Sequence, residues 1–162
     1  MGERTALLSV RPRFADALLN GTKTVEIRRR GARLDSGAIC LLYASSPVRA
    51  LVVAIEVDSV HVAPAAELWN QWGPQTALDR AEFDDYLIGS QSPCAIAVRS
   101  VMRFESPILL AELRRRHHAF VVPQSYRFIG PDELPNLTNG QTVQLARFIR
   151  PATIGRQMRL AT

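Results

Sequence analysis

Two runs of aliphatic and β-branched residues, Ala38 to Ala44 and Ala50 to Val62, stand either side of Ser45-Ser46-Pro47, and they constrain the fold more than any other feature of the chain. Val, Ile and Leu at this density suit the pleated, packed surface of a sheet, and Ser-Ser-Pro has turn chemistry. The two runs therefore predict paired antiparallel strands. Thr5 to Val10 reads as a further short apolar strand, and Cys94 to Phe104 alternates Cys94, Ile96 and Val98 against Ala95, Ala97 and Arg99 as a long strand running towards Pro107. Lys23 to Arg29 also alternates, with Lys23, Val25 and Ile27 on one face and Thr24, Glu26 and Arg28 on the other, so one side of that strand is expected to be wet or to face a site. Residues 123 to 128 read as a loop entering a short strand or turn.

Short helices punctuate this pattern. Pro12 opens one that carries Phe14, Ala15, Leu18 and Leu19 at helical spacing and stops at Gly21. Pro64 to Trp72 predicts a second, ended by Gly73-Pro74. Asp79 with Glu82 three residues later predicts a capping box and a third helix ending near Gly89. Leu110 to His118 predicts a fourth. The strands succeed one another without crossover helices, which favours a single α+β domain with strands in the majority. At 162 residues and 47% hydrophobic, the chain can bury one core but is short for two independent ones.

Several classes are disfavoured at once. No stretch reaches the roughly 18 apolar residues of a membrane span. The first residues carry an acid where a signal peptide needs basic charge, and Gly2 lacks the Ser or Thr of a myristoylation motif, so a cytoplasmic protein without membrane contact is expected. Cys40 and Cys94 lie inside apolar strands and are expected to be buried, reduced thiols. His61, His117 and His118 have no matching ligand arrangement, so no metal site is expected. Nor is there a GxSxG elbow, a P-loop or a Rossmann glycine fingerprint, and no cofactor is expected.

The basic balance is more informative. The net charge is +5, and of the 20 basic residues 19 are arginine; Lys23 is the single lysine. Arginine suits phosphate and carboxylate forks, whereas an ammonium is a compact point charge whose pKa moves readily on burial. Between Arg11 and Arg33 six arginines and Lys23 face only Asp16 and Glu26, an excess of +5 in 23 residues. A second cluster follows at Arg114 to Arg116, and a third in the acid-free stretch after Glu133, with Arg147, Arg150, Arg156 and Arg159. Three basic clusters point to a polyanionic partner: RNA, a nucleotide or nucleoside, or single-stranded DNA. In the last stretch Val143, Leu145, Phe148 and Ile149 are apolar enough to dock as far as Pro151.

Gly21-Thr22-Lys23-Thr24-Val25-Glu26-Ile27-Arg28 concentrates an ammonium, a hydroxyl, a carboxylate and a guanidinium in one turn and one strand. Thr24, Glu26 and Arg28 form a polar row spaced about 6.6 to 7 Å apart on an extended chain. Lys23 faces the other side within the strand proper, but as the residue leaving the Gly21 turn it can twist into the same cleft. An edge strand with a cross-strand ion pair at Glu26 would give the same pattern. Leu8-Ser9-Val10-Arg11-Pro12, the GxKxxExR motif spelled by Gly21 to Arg28, and Tyr43-Ala44-Ser45-Ser46-Pro47 together resemble the activating signal cointegrator homology (ASCH) domain. The resemblance runs from about residue 6 to about residue 105.

That resemblance implies a PUA-like β-barrel (the pseudouridine-synthase-and-archaeosine-transglycosylase type) with short flanking helices. Residues 1–130 would form it, and 131–162 a basic C-terminal extension. It implies a cleft lined by Lys23, Glu26 and Arg28, with Arg11 and the Ser45-Ser46 edge across from them. Around that cleft Thr24, Arg29, Arg30, Gln124 and Ser125 are candidate contacts to nucleic acid, and Tyr43 and Tyr126 candidate stacking surfaces. Similar proteins include binding modules, ribonucleases, and an amidohydrolase that removes the acyl group from acetylated cytidine. The amidohydrolase lysine corresponds to Lys23, but its threonine corresponds to Glu26, and its later glutamate has no counterpart in register, Glu82 standing nearby. The expected function is recognition of a base or modified nucleoside in a basic cleft. The alternative is hydrolysis of an acylated cytidine or of RNA, with Lys23 and Glu26 as catalytic residues.

Overall fold

The computed structural model describes residues 4–141 and 143–149. Seven strands form one mixed sheet: β1 (Thr5–Val10), β2 (Val25–Arg28), β3 (Ile39–Ala44), β4 (Ala50–Val62), β5 (Cys94–Leu109), β6 (Tyr126–Ile129) and β7 (Val143–Phe148). Five short helices accompany them: α1 (Pro12–Asn20), α2 (Ala65–Trp72), α3 (Arg80–Leu87), α4 (Leu110–Arg116) and α5 (Glu133–Thr138). The sheet order is β2-β5-β4-β3-β1-β6, with β7 also pairing β5. The paired runs predicted around Ser45-Ser46-Pro47 are β3 and β4, antiparallel with Leu41 opposite Ala54 and Leu42 opposite Val53.

The sheet curls into a half-barrel because its two longest strands are bent. The β4–β5 ladder shifts register near Leu51/Val53, Glu56/Val57 and Val57/Ser59, and each such bulge adds local twist and a bend. The result is an α+β barrel with short helices, in agreement with the expectation. One expectation fails: β1 pairs β3 in parallel, and such a connection needs a crossover. The segment holding α1 and β2 supplies it, which the string of adjacent strands conceals.

Burial on both faces explains the near-continuous apolar strands. Leu8, Leu42, Ile55 and Ile96 line one core together with Leu18 of α1. The alternating positions Leu7, Leu41 and Ala54 face a second core closed by Leu113 and Leu137 from α4 and α5. A third packs Val25 and Ile27 of β2 on Leu68, Trp72, Phe83 and Leu87 of α2 and α3. The polar row of β2 is not wet, Glu26 and Arg28 being 5% exposed, but its face turns to the floor of a cleft, the other outcome expected of it.

In the C-terminal stretch, α5 packs Leu137 into the second core and β7 adds an edge strand to β5. Val143 and Ile149 contact the cores as predicted, whereas Leu145 and Phe148 are exposed. Arg150, Arg156 and Arg159 lie outside the described residues.

Candidate functional site

The site is assembled at the unpaired edge of β2. Helix α1 ends on Gly21, whose φ of +88° is the left-handed conformation that glycine adopts without strain. The amide of Lys23 then bonds back to the Ala17 carbonyl, 3.1 Å away, so the chain has not yet become extended at this point. Strand alternation starts only at Val25. Lys23 is thereby turned to the side of Glu26 and Arg28, and Thr24 leaves the row. Half-buried Thr24 bonds through its backbone to Gln75 and Val98.

Lys23 is 1% exposed. Its Nζ donates to the Thr76 carbonyl at 2.8 Å, lies 3.1 Å from Glu26 Oε2, and sits 4.8 Å from the Phe14 ring centroid. On the other side Glu26 Oε1 accepts from Arg28 Nη1 at 3.2 Å. A buried Lys–Glu–Arg row results, one carboxylate between two cations. Burying such a group is costly unless its remaining donors are satisfied, and the two terminal nitrogens of Arg28 meet most of that demand. Nη1 donates to the Ser9 carbonyl at 3.0 Å and Nη2 to the Ser125 carbonyl at 2.7 Å and hydroxyl at 3.4 Å. Both protons on each terminal nitrogen are thus occupied. Arg28 Nε is buried without a partner.

Above this row lies a cleft of about 490 Å³. Its floor is Lys23, Glu26 and Arg28. Ser9, Val10, Arg11, Arg13 and Phe14 form the wall at the β1–α1 junction; Leu78, Glu82, Asp85 and Tyr86 from α3 and its approach form the opposite wall, and Gln124 closes the rim. Arg13 pairs with Glu82 at 2.7 Å. The Asp79 backbone N–H, and then Arg13, hold the Glu82 carboxyl below its ordinary range. Burial pushes the Tyr86 phenol up, with Arg28 opposing, which keeps it protonated and able to donate. Among the described residues, Arg11 and Asp85 make no ion pair. The lining carries four cations and three carboxylates, so it is mixed in charge where the sequence suggested a basic cleft.

The ASCH domain family matches residues 8–109. This chain belongs to that family. A protein of Zymomonas mobilis named ASCH domain-containing ribonuclease is 28% identical over 136 residues, covering 84% of this chain and 91% of that protein. The crystal structure of ASCH from Zymomonas mobilis superposes with a TM-score of 0.78 at 28% identity, over 85% of this chain and 96% of that one. The N-terminal domain of Staphylothermus marinus McrB shares the fold alone, with a TM-score of 0.52 at 9% identity over 86% of this chain and 98% of that domain.

Within this ASCH domain the cleft gathers Arg11, Lys23, Glu26, Arg28 and Gln124 of the residues expected from sequence, with half-buried Ser125 behind Arg28. The others lie elsewhere. Tyr43 is 3% exposed in the second core and offers no face for stacking. Tyr126 packs edge-on to Phe128 at 5.9 Å against the first core. Ser45 and Ser46 form the β3–β4 turn outside the cleft lining, where the Ser45 amide bonds at 2.9 Å to the carbonyl of Val10 in the cleft wall. Arg29 and Arg30 are exposed outside the cleft lining, and Arg29 donates to the Tyr86 and Ile88 carbonyls at the end of α3, at 2.5 and 2.8 Å.

Sequence reading missed Phe14, Asp85 and Tyr86 as cleft residues. For Asp85 and Tyr86 the available signal was the capping box at Asp79, which fixes where α3 starts. Among the described residues no group of three or more His, Cys, Asp or Glu is placed to hold a metal ion.

Proposed function

We propose that this ASCH domain binds single-stranded RNA and takes one unstacked nucleotide into the cleft. The observation that carries this reading is the buried Lys23–Glu26 pair on the floor of a cavity of about 490 Å³, a size in the range of small-ligand sites, roughly 300–1,000 Å³. Single strands are recognised by splaying out a base and bonding its edge, and the floor offers charged partners for such an edge. Unpaired Arg11 at the rim, with Arg29 and Arg30 outside it, supplies phosphate contacts. The kinship with a protein named as a ribonuclease supports RNA as the polymer.

Binding of a fluorescent single-stranded RNA, followed by anisotropy, tests this. Affinity falls steeply between about 50 and about 200 mM salt, because phosphate contacts release counterions, and Arg11→Ala weakens it. Absence of binding, or binding indifferent to salt, overturns the reading.

A second reading, RNA cleavage, is favoured by the name of the Zymomonas relative and by the 3.1 Å Lys23–Glu26 pair. Glu26 would take the proton from a ribose 2′-hydroxyl as its oxygen attacks phosphorus. The bond from phosphorus to the 5′ oxygen would break, and Lys23 would return a proton to that leaving oxygen. The products are a 2′,3′-cyclic phosphate and a 5′-hydroxyl. Their absence from labelled RNA, or equal amounts from Lys23→Ala, rejects cleavage.

A further inference from the structure

We propose that the base taken by the cleft is guanine, held by its N1–H, N2–H and O6 edge; this rests on the RNA-binding reading above. Lys23 Nζ has three protons, of which one goes to the Thr76 carbonyl; Glu26 Oε2 stands 3.1 Å away as its ion-pair partner, so at least one proton is left for a ligand. A carboxylate has about four acceptor sites. Glu26 uses one on Oε1 for Arg28, and its Oε2 faces Lys23, so each oxygen keeps at least one. The terminal nitrogens of Arg28 are fully occupied by Glu26, Ser9 and Ser125. The floor therefore presents acceptors on both Glu26 oxygens beside a Lys23 donor, with Arg28 Nε as a further unpartnered donor.

That pattern suits a group with two adjacent donors next to an acceptor. Guanine has this sequence, N2–H, N1–H, O6. Adenine and cytosine each place a ring-nitrogen lone pair beside a single amino donor, so one carboxylate oxygen would face another acceptor. Uracil has one N–H flanked by two carbonyls, with the same conflict. A buried acceptor left facing an acceptor is costly, and one good bidentate contact discriminates by roughly ten- to a hundredfold.

The test uses hexauridine oligomers with 2′-O-methyl riboses, so that no cleavage intervenes, and one central residue replaced by guanosine, inosine, adenosine or cytidine. Anisotropy titration of the full-length protein is expected to rank guanosine first, at least about tenfold above adenosine and cytidine. Inosine, lacking only the N2 amino group, falls between. Glu26→Gln, checked for folding by circular dichroism, reduces the guanosine preference. If all oligomers bind with equal affinity, or adenosine or cytidine binds best, guanine selection is wrong while RNA binding stands. If none binds, the RNA-binding reading falls and this one falls with it.

Discussion

Glu26 is the residue on which the buried row depends, since it alone separates two cations that are each almost sealed from water. Replacing it with leucine fills the volume but leaves Lys23 and Arg28 facing one another without a counter-charge. Breaking one side of such a buried ion group is destabilising by about 3–5 kcal/mol, and urea denaturation of Glu26→Leu should show a loss of that size. Cys40 reports on the same interior. Burial first, and then the nearby Glu26 carboxylate, push its thiol from an ordinary 9.0 up to about 12. The folded state thus favours the neutral thiol. Its contribution to stability is intact below the ordinary thiol range and is lost as pH climbs from there towards about 12. In mildly alkaline buffer Cys40 should resist iodoacetamide in the native protein and react once the protein is unfolded in guanidinium, as mass spectrometry of the labelled peptide would show.

At the scale of elements, α3 forms one wall of the cleft, and its start is fixed by a reciprocal cap. Asp79 Oδ1 accepts from the Glu82 amide at 2.8 Å, and Glu82 Oε2 accepts from the Asp79 amide at 3.0 Å. Losing such a cap costs about 1 kcal/mol. Asp79→Ala should lower the melting temperature by about 2–4 °C. Because Tyr86 and Asp85 ride on the same helix, it should also weaken RNA binding without touching a ligand contact. This helix and its cap were legible beforehand, since both signals are local, as were β3, β4 and the Gly21 stop. The facing of Lys23 was legible only in part. Strict alternation places the side chain on the wrong side, and the twist on leaving the Gly21 turn, open from sequence as the alternative, is what the non-extended stretch before Val25 realises. Tyr43 was misjudged for a related reason: a strand buried on both faces gives no pattern that says which side meets a ligand.

Across the whole molecule, what the sequence withheld is the long-range pairing. The parallel β1–β3 contact and the Arg28 bonds to Ser125, 97 positions away, leave no trace in local spacing. Strands β2 and β6 are the two ends of the path through the sheet, and the Arg28 guanidinium joins that seam to Ser9 and to the approach of β6 where no ladder does. The stretch matching the family stops at residue 109, before Ser125, before β6, and before Phe120, Ile129 and Leu137 of the second core. A fragment ending at residue 118 should therefore lose cooperative thermal unfolding, which calorimetry would detect. The portion that defines kinship is smaller than the portion the cavity draws on: excising it at its recognised borders would leave one prong of a guanidinium empty-handed, and a ribosome must deliver the chain past Ser125 before the cavity has a finished base.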